Sequence, residues 1–308
     1  MIRAFSLCAK HSRILLIAGL LAGVGLPSVA AAMAPWLPQM VAILLVVTAL
    51  RIGHRAAFGA LQDLRWSLPA VLVMQLALPM AVLMVLRSFG LQDAPLTLAL
   101  VLACAAPCVA GGASLAIILG QDPARMMQLL ILGTALFPLT ILPVLTAMPL
   151  GVDLSALAFV AAKTLVVILG AASVGFALRH VFLRAAADHQ IKAMDGASVL
   201  FFSIIVVALM SALAPMLHND PGTAVMWALA AFTLSFGLQT ITLLGLRHTR
   251  LSPVCGPLAL AAGNRNIALF LLALPADITA PIMIFVACWQ LPMYLTPMLL
   301  HPLYRLAP

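Results

Sequence analysis

Glutamate is absent from this chain. Its eight acidic residues are all aspartates: Asp63, Asp93, Asp122, Asp153, Asp188, Asp195, Asp220 and Asp277. Each falls in a predicted loop or helix end, and so do the seven histidines. An intramembrane enzyme needs embedded His, Asp or Glu, and none is visible. Charged residues make up only 8% of the 308 residues, far too few for the surface of an ordinary globular domain. Cysteine is sparse too: Cys8, Cys104, Cys108, Cys255 and Cys288 lie in or beside apolar segments, where cysteine behaves as a small hydrophobe. With no CxxC or Cys/His pattern, neither a metal site nor a disulfide framework is legible, and no cofactor is implied.

What the chain has instead is apolar surface. Hydrophobic residues make up 65% of it and the mean hydropathy is +1.19, which marks a polytopic membrane protein. The net charge of +8 is explained by loop lysines and arginines that orient membrane helices, so nucleic acid is not needed as a partner. The first 34 residues imitate a secretory signal, with Arg3, Lys10 and Arg13 ahead of the apolar Ile14–Ala32 and small residues at Ala30–Ala32. Because the rest is equally hydrophobic, a retained first helix is expected. Further apolar segments follow at 36–50, 66–86, 95–119, 126–147, 154–178, 197–217, 224–246, 253–275 and 279–300. That makes ten spans, each near the roughly 20 residues that a bilayer requires.

The positive charges test this count. With the amino terminus inside, the inner segments hold Arg3, Lys10, Arg13, Arg51, Arg55, Arg65, Arg125, Arg179, Arg184, Lys192, Arg247, Arg250 and Arg305, and the outer ones only Arg87. Lys163 and Arg265 fall inside spans. The asymmetry places both termini in the cytoplasm of a cell whose plasma or inner membrane holds the protein.

Ten spans divide into five and five, at residues 1–150 and 151–308. An odd number per half starts the second half on the opposite face, as an inverted-topology repeat requires. The fourth span of each half then corresponds, and both are interrupted. Pro95–Leu119 is broken by Pro107 and by Gly111-Gly112, while Pro253–Pro275 carries Gly263-Asn264-Arg265-Asn266 at its middle. An arginine near the bilayer centre costs roughly 2.5–3.5 kcal/mol, so it stays only where a partner or cavity receives it. Glycine favours backbone that leaves the helix, and asparagine can bond the peptide groups set free. The expectation is an all-α protein of ten transmembrane helices with two broken crossing helices, spans four and nine. Matching interruptions of this kind point to a transport site.

These segments resemble the bile acid:sodium symporter family over essentially the whole chain. Gln75-Leu76-Ala77-Leu78-Pro79 is similar to the family's Gln-plus-Pro pattern in the third span. Ala106-Pro107 followed by Gly111-Gly112-Ala113-Ser114 is similar to its Gly-Gly…Ser-Asn-x-x-Thr crossing, and Gly263-Asn264-Arg265-Asn266 to its Glu-x-Gly-x-Gln-Asn crossing. The resemblance implies a panel domain and a core domain, each drawing helices from both repeats, with an organic-anion site beside the crossing. It also implies symport with sodium bound by side chains there. Gln75, Ser114 and Asn266 match the family's cation-site residues, but its Asn and Thr fall on Leu115 and Ile118, its glutamate on Ala261 and its glutamine on Arg265. The crossing has lost a carboxylate and gained a guanidinium, which argues for weak or no sodium coupling.

The substrate-binding candidates are therefore Arg265, Asn266, Asn264, Ser114, Gly112 and Lys163. Arg265 has two readings: it contacts an anionic substrate, helped by half-helix amino termini near Ser114 and Ile267, or it caps carbonyls of the broken helices with its five donors. Lys163, nine residues into its span, either lines the anion path or snorkels outward. The function these residues suggest is alternating-access transport of a small organic anion. The rivals are arsenite-type efflux in the same superfamily, with Cys108 at the crossing, and a non-transporting channel or sensor-like membrane protein.

Overall fold

A computed structural model describes residues 2–59, 63–183 and 187–307, without the side chains of residues 2–4, 13 and 188. Arg184, counted among the inner positive charges, lies outside them. The described residues are mostly helical, with no strand and a single isolated bridge. Among the described residues, seven helices are long and apolar enough to cross a membrane: Pro27–Gly59, Leu64–Ser88, Pro123–Ala147, Leu154–Phe182, His189–Asn219, Pro221–Leu246 and Ala276–Leu299. The other three expected spans contain shorter apolar helices, Ile14–Gly25, Pro95–Ala105 and Ser252–Gly263.

The shortening has a cause in each case. The expected first span, 14–32, breaks at Leu26, which has a non-helical φ of −123° and precedes Pro27. A residue before proline is pushed out of the α region by the proline ring. The helix that begins at Pro27 then runs on through residues 33–35, where a loop was expected, so the boundary between the first two spans lies earlier in the chain. The other two short helices end at the glycine, proline and asparagine clusters already named.

The chain forms two compact units, each drawn from both sides of residue 150: Met1–Gly59 with Val166–Met226, and Ala60–Leu165 with Trp227–Pro308. The first unit packs helix Asp188–Leu209 against Ile2–Lys10, Ser12–Gly25 and Leu37–Gly59. Its core includes Leu37, Val41, Leu44, Ile205, Val206 and Leu209, all nearly inaccessible. Gly53 interrupts its own helix with φ 73° and ψ 157°, a left-handed conformation that a side chain would strain. The break frees carbonyls, and the Arg179 guanidinium caps them, donating to Leu50 O at 3.0 Å and to Arg51 O. Arg51 in turn holds Asp195 at 2.7 Å.

The second unit contains both interrupted helices. Within Leu64–Ser88, residues Val73–Ala77 form a π-helical turn, the kind of bulge that forms where the backbone ladder is interrupted. Gln75 in that turn donates to Gly133 O at 3.1 Å and accepts from the Thr140 hydroxyl at 3.0 Å. Below it, Asp63 accepts from Arg125 at 2.8 Å and from the Trp66 indole at 3.1 Å. Phe137 meets Phe270 edge-on with ring centroids 5.1 Å apart, which anchors the second interrupted segment in the core.

Candidate functional site

The first interruption begins at Ala106, extended at φ −61° and ψ 147° because Pro107 follows. The helix restarts only at Gly112 and ends at Ile118. The second begins when helix Cys255–Gly263 ends. Asn264 and Asn266 leave the helical region, and a 3-10 turn, Ile267–Leu269, follows. Two extended pieces in a helical core carry peptide groups that need partners. They find each other. Val109 N donates to Asn264 O at 2.9 Å, Asn266 N donates to Pro107 O at 2.8 Å, and Cys108 stands opposite Arg265 in an antiparallel bridge.

The Arg265 side chain closes the junction. Its Nε donates to Ala262 O at 2.9 Å, one terminal nitrogen to Ala106 O at 3.0 Å, and the other to Met74 O at 3.4 Å. One residue therefore ties its own helix end to the other break and to the π-helical turn, and it is only 2% exposed. Among the described residues no carboxylate pairs with it, so its charge is buried with neutral partners. These three bonds use three of its five N–H donors. The capping reading of Arg265 is the one this geometry displays.

A hydrogen-bonded chain backs the junction. Asn264 donates to Leu260 O at 3.0 Å and accepts from Thr296 at 3.3 Å. Thr296 receives Gln239 Nε2 at 3.2 Å, and Gln239 Oε1 receives the Tyr304 hydroxyl at 2.7 Å. Ser235 donates to Gly263 O at 2.8 Å, and the Trp289 indole to Arg265 O at 2.9 Å.

The sequence candidates fall into three groups. Arg265, Asn264 and Asn266 are brought together. Asn266 is the one of the three whose side chain makes no hydrogen bond among the described residues, although the residue is only 7% exposed. Gly112 and Ser114 lie beyond the first break: Gly112 is buried against the flexible end of the Met126 side chain, and Ser114 is exposed. Lys163 is exposed on helix Leu154–Phe182, which is apolar all round, and it is not among the residues that bond at the junction. Of the cation-site residues, Gln75 has both ends of its amide engaged.

The amino termini after the breaks are also weaker than expected. One opens a helix of only seven residues, Gly112–Ile118, and the other a three-residue 3-10 turn, so little aligned dipole stands behind either. Trp289, Thr296, Tyr304 and the Met74 carbonyl were not singled out from sequence. A tryptophan inside a span was a usable signal, because a buried indole N–H finds an acceptor and broken helices offer free ones. A cavity of about 270 Å³ lies elsewhere in this unit, lined by Leu83, Arg87, Gln92, Asp93 and Met148, and none of the junction residues reaches it.

The pairing can be checked directly. Opposed residues of an antiparallel pair have Cα atoms about 4.5–5.5 Å apart, inside the range a disulfide spans. With Cys104 and Cys108 replaced by alanine, Pro107→Cys combined with Asn266→Cys should crosslink on mild oxidation, seen as a linked peptide pair by mass spectrometry. Failure of this pair to crosslink would separate the two breaks.

Compared with known proteins, the sequence matches no family model and no curated protein.

Proposed function

We propose that the protein is a membrane transporter that carries a small organic anion by alternating access. The observation that carries this reading is the junction of two interrupted helices around Arg265, a buried cation with no carboxylate partner among the described residues. Irregular backbone at membrane depth is tolerated where it is buried in protein or lines a cavity, and paired interruptions are the usual build of a carrier site. A fixed positive charge in a low-dielectric setting favours an anion nearby and disfavours a second cation. In this proposal Arg265 supplies the field and holds the breaks together. Asn266, with its unengaged carboxamide, and exposed Ser114 offer the polar contacts, and Asn264 positions Asn266.

The proposal places ten helices in the membrane as two inverted five-helix repeats, with both termini on the cytoplasmic face of the plasma or inner membrane. It keeps the resemblance to the bile acid:sodium symporter family as the source of the panel-and-core arrangement, but not its symport. Sodium coupling is weak or absent, since the place of a mobile cation is taken by a fixed one. Arsenite-type efflux is the weaker alternative, because Cys108 is 4% exposed and no group of three metal-binding side chains converges among the described residues.

The test is exchange in proteoliposomes preloaded with unlabelled carboxylates, from short aliphatic acids to steroid-like ones. At least one should accelerate entry of its labelled form well above empty vesicles. A protein that exchanges none of them, while passing ions down their gradients, would be a channel.

A further inference from the structure

The first compact unit carries a group of half-buried and exposed basic residues, and the transport reading does not use it. It sits where three helices end or begin. Helix Leu37–Gly59 contributes Arg51, His54 and Arg55, helix Leu154–Phe182 contributes Arg179 and His180, and helix Asp188–Leu209 contributes Lys192 and Asp195. The break at Gly53 is what assembles it. A Cβ there would stand 2.6 Å from Arg179 Nε, so only glycine lets that guanidinium lie against the chain and donate to the Leu50 and Arg51 carbonyls. The rings of His54 and His180 meet edge-on at 6.2 Å. Arg55 and Lys192 are exposed.

Charge is out of balance in this group. These helix ends carry four permanent cations, Arg51, Arg55, Arg179 and Lys192, and one described carboxylate, Asp195, which Arg51 holds at 2.7 Å. Asp188 lies at the start of the same helix, and its side chain is outside the described set. The flank of the cluster is apolar and open: Phe58 is 66% exposed, Val181 64% and Phe182 73%. Large apolar side chains beside a group of basic residues suit the boundary between headgroups and acyl chains, where rings sit among the chains and guanidinium groups meet phosphates.

We propose that this cluster binds the phosphodiester of an anionic phospholipid, with Arg55, His54 and His180 reaching the phosphate and Phe58 and Phe182 beside the acyl chains. Guanidinium matches phosphate geometry with paired donors, and the histidines add donors when protonated. Arg179 and Arg51 are spent on carbonyls and Asp195, so they position the cluster and contribute field. A free phosphate would use the same donors but gain nothing from the exposed aromatic rings. That difference separates the two sources.

The whole chain, purified in a neutral detergent, is melted with added phosphatidylglycerol, phosphatidylcholine or inorganic phosphate at matched concentrations. Phosphatidylglycerol should raise the unfolding midpoint by several degrees, and the other two should leave it unchanged. The Arg55→Gln/His180→Gln double variant changes two exposed side chains. It should melt like the wild type without lipid and lose most of the phosphatidylglycerol shift. Arg247→Gln/Arg250→Gln, basic residues of the other unit, should keep the full shift. Equal protection by phosphatidylcholine or by inorganic phosphate would overturn the proposal, as would a shift that survives in the first variant or disappears equally in the second. Should the double variant fold poorly, native mass spectrometry of Arg55→Gln alone decides: one fewer retained phosphatidylglycerol than wild type is expected, and an unchanged number would contradict the site.

Discussion

Arg265→Gln is expected to abolish anion transport and to lower stability by about 2–4 kcal/mol. The arginine now satisfies Ala262 O, Ala106 O and Met74 O together. A glutamine amide has two donors on a shorter stem and cannot span all three, so at least one buried carbonyl is orphaned. Relief from burying an unpaired charge offsets part of the loss, which keeps the cost below the sum of three broken charge-assisted bonds. Transport is hit harder than folding, because the field that attracts the anion disappears entirely. Arg265→Lys separates the two effects. It keeps the charge as a point donor, so uptake should fall but persist, while the unfolding midpoint drops nearly as far as in Arg265→Gln. Sodium should not rescue the glutamine variant. The family's glutamate position is Ala261 here, fully buried among packed neighbours, and a carboxylate has no room there.

Gly263→Ala should destabilise the fold about as much as Arg265→Gln. An ideal Cβ at this position would lie 2.2 Å from Ser235 O, 2.4 Å from Gln239 Cγ and 2.8 Å from Gln239 Nε2. The nearest atom is backbone in the middle of helix Pro221–Leu246, so relief requires moving that helix or abandoning the break. Either movement also breaks the Ser235–Gly263 bond and disturbs Gln239, which links Thr296 to Tyr304. Overpacking of this kind costs roughly 1–3 kcal/mol and occasionally more, and the upper end or beyond is expected here. Gly237→Ala is the control in the same helix. Nothing lies within 4 Å of its added methyl group, and alanine favours a helix, so this variant should melt at or slightly above the wild-type temperature. If both glycine variants behave alike in thermal unfolding, close packing at Gly263 is not what shapes the junction.

The interruptions were legible because local chemistry dictates them. Pro107 forces Ala106 out of the helix wherever the rest of the chain lies, and Gly263 with two asparagines weakens a helix in any context. Asp122 was legible for the same reason, since it caps its helix through Ala124 N at 2.8 Å as a short acceptor at a helix start should, whereas Asp195, also expected at a loop or helix end, lies inside helix Asp188–Leu209 and pairs with Arg51. What the sequence hid was long-range choice. Ala106 and Met74 are separated from Arg265 by 159 and 191 residues, and no local rule says which carbonyls a guanidinium will reach. The face of its helix that Lys163 occupies was not legible, because depth along a helix says nothing about face when every face is apolar. The two compact units were hidden likewise, since their boundaries near residues 165 and 226 fall inside continuous helices rather than at loops.

Replacement of sodium separates a fixed cation from a mobile one most directly. Uptake of an exchanged carboxylate into proteoliposomes, measured in sodium and again in choline or potassium, should be the same in both if Arg265 permanently fills the charge that a coupling ion would bring. A large fall in uptake when sodium is removed would contradict it, and would mean that backbone carbonyls at the junction hold a cation despite the guanidinium beside them.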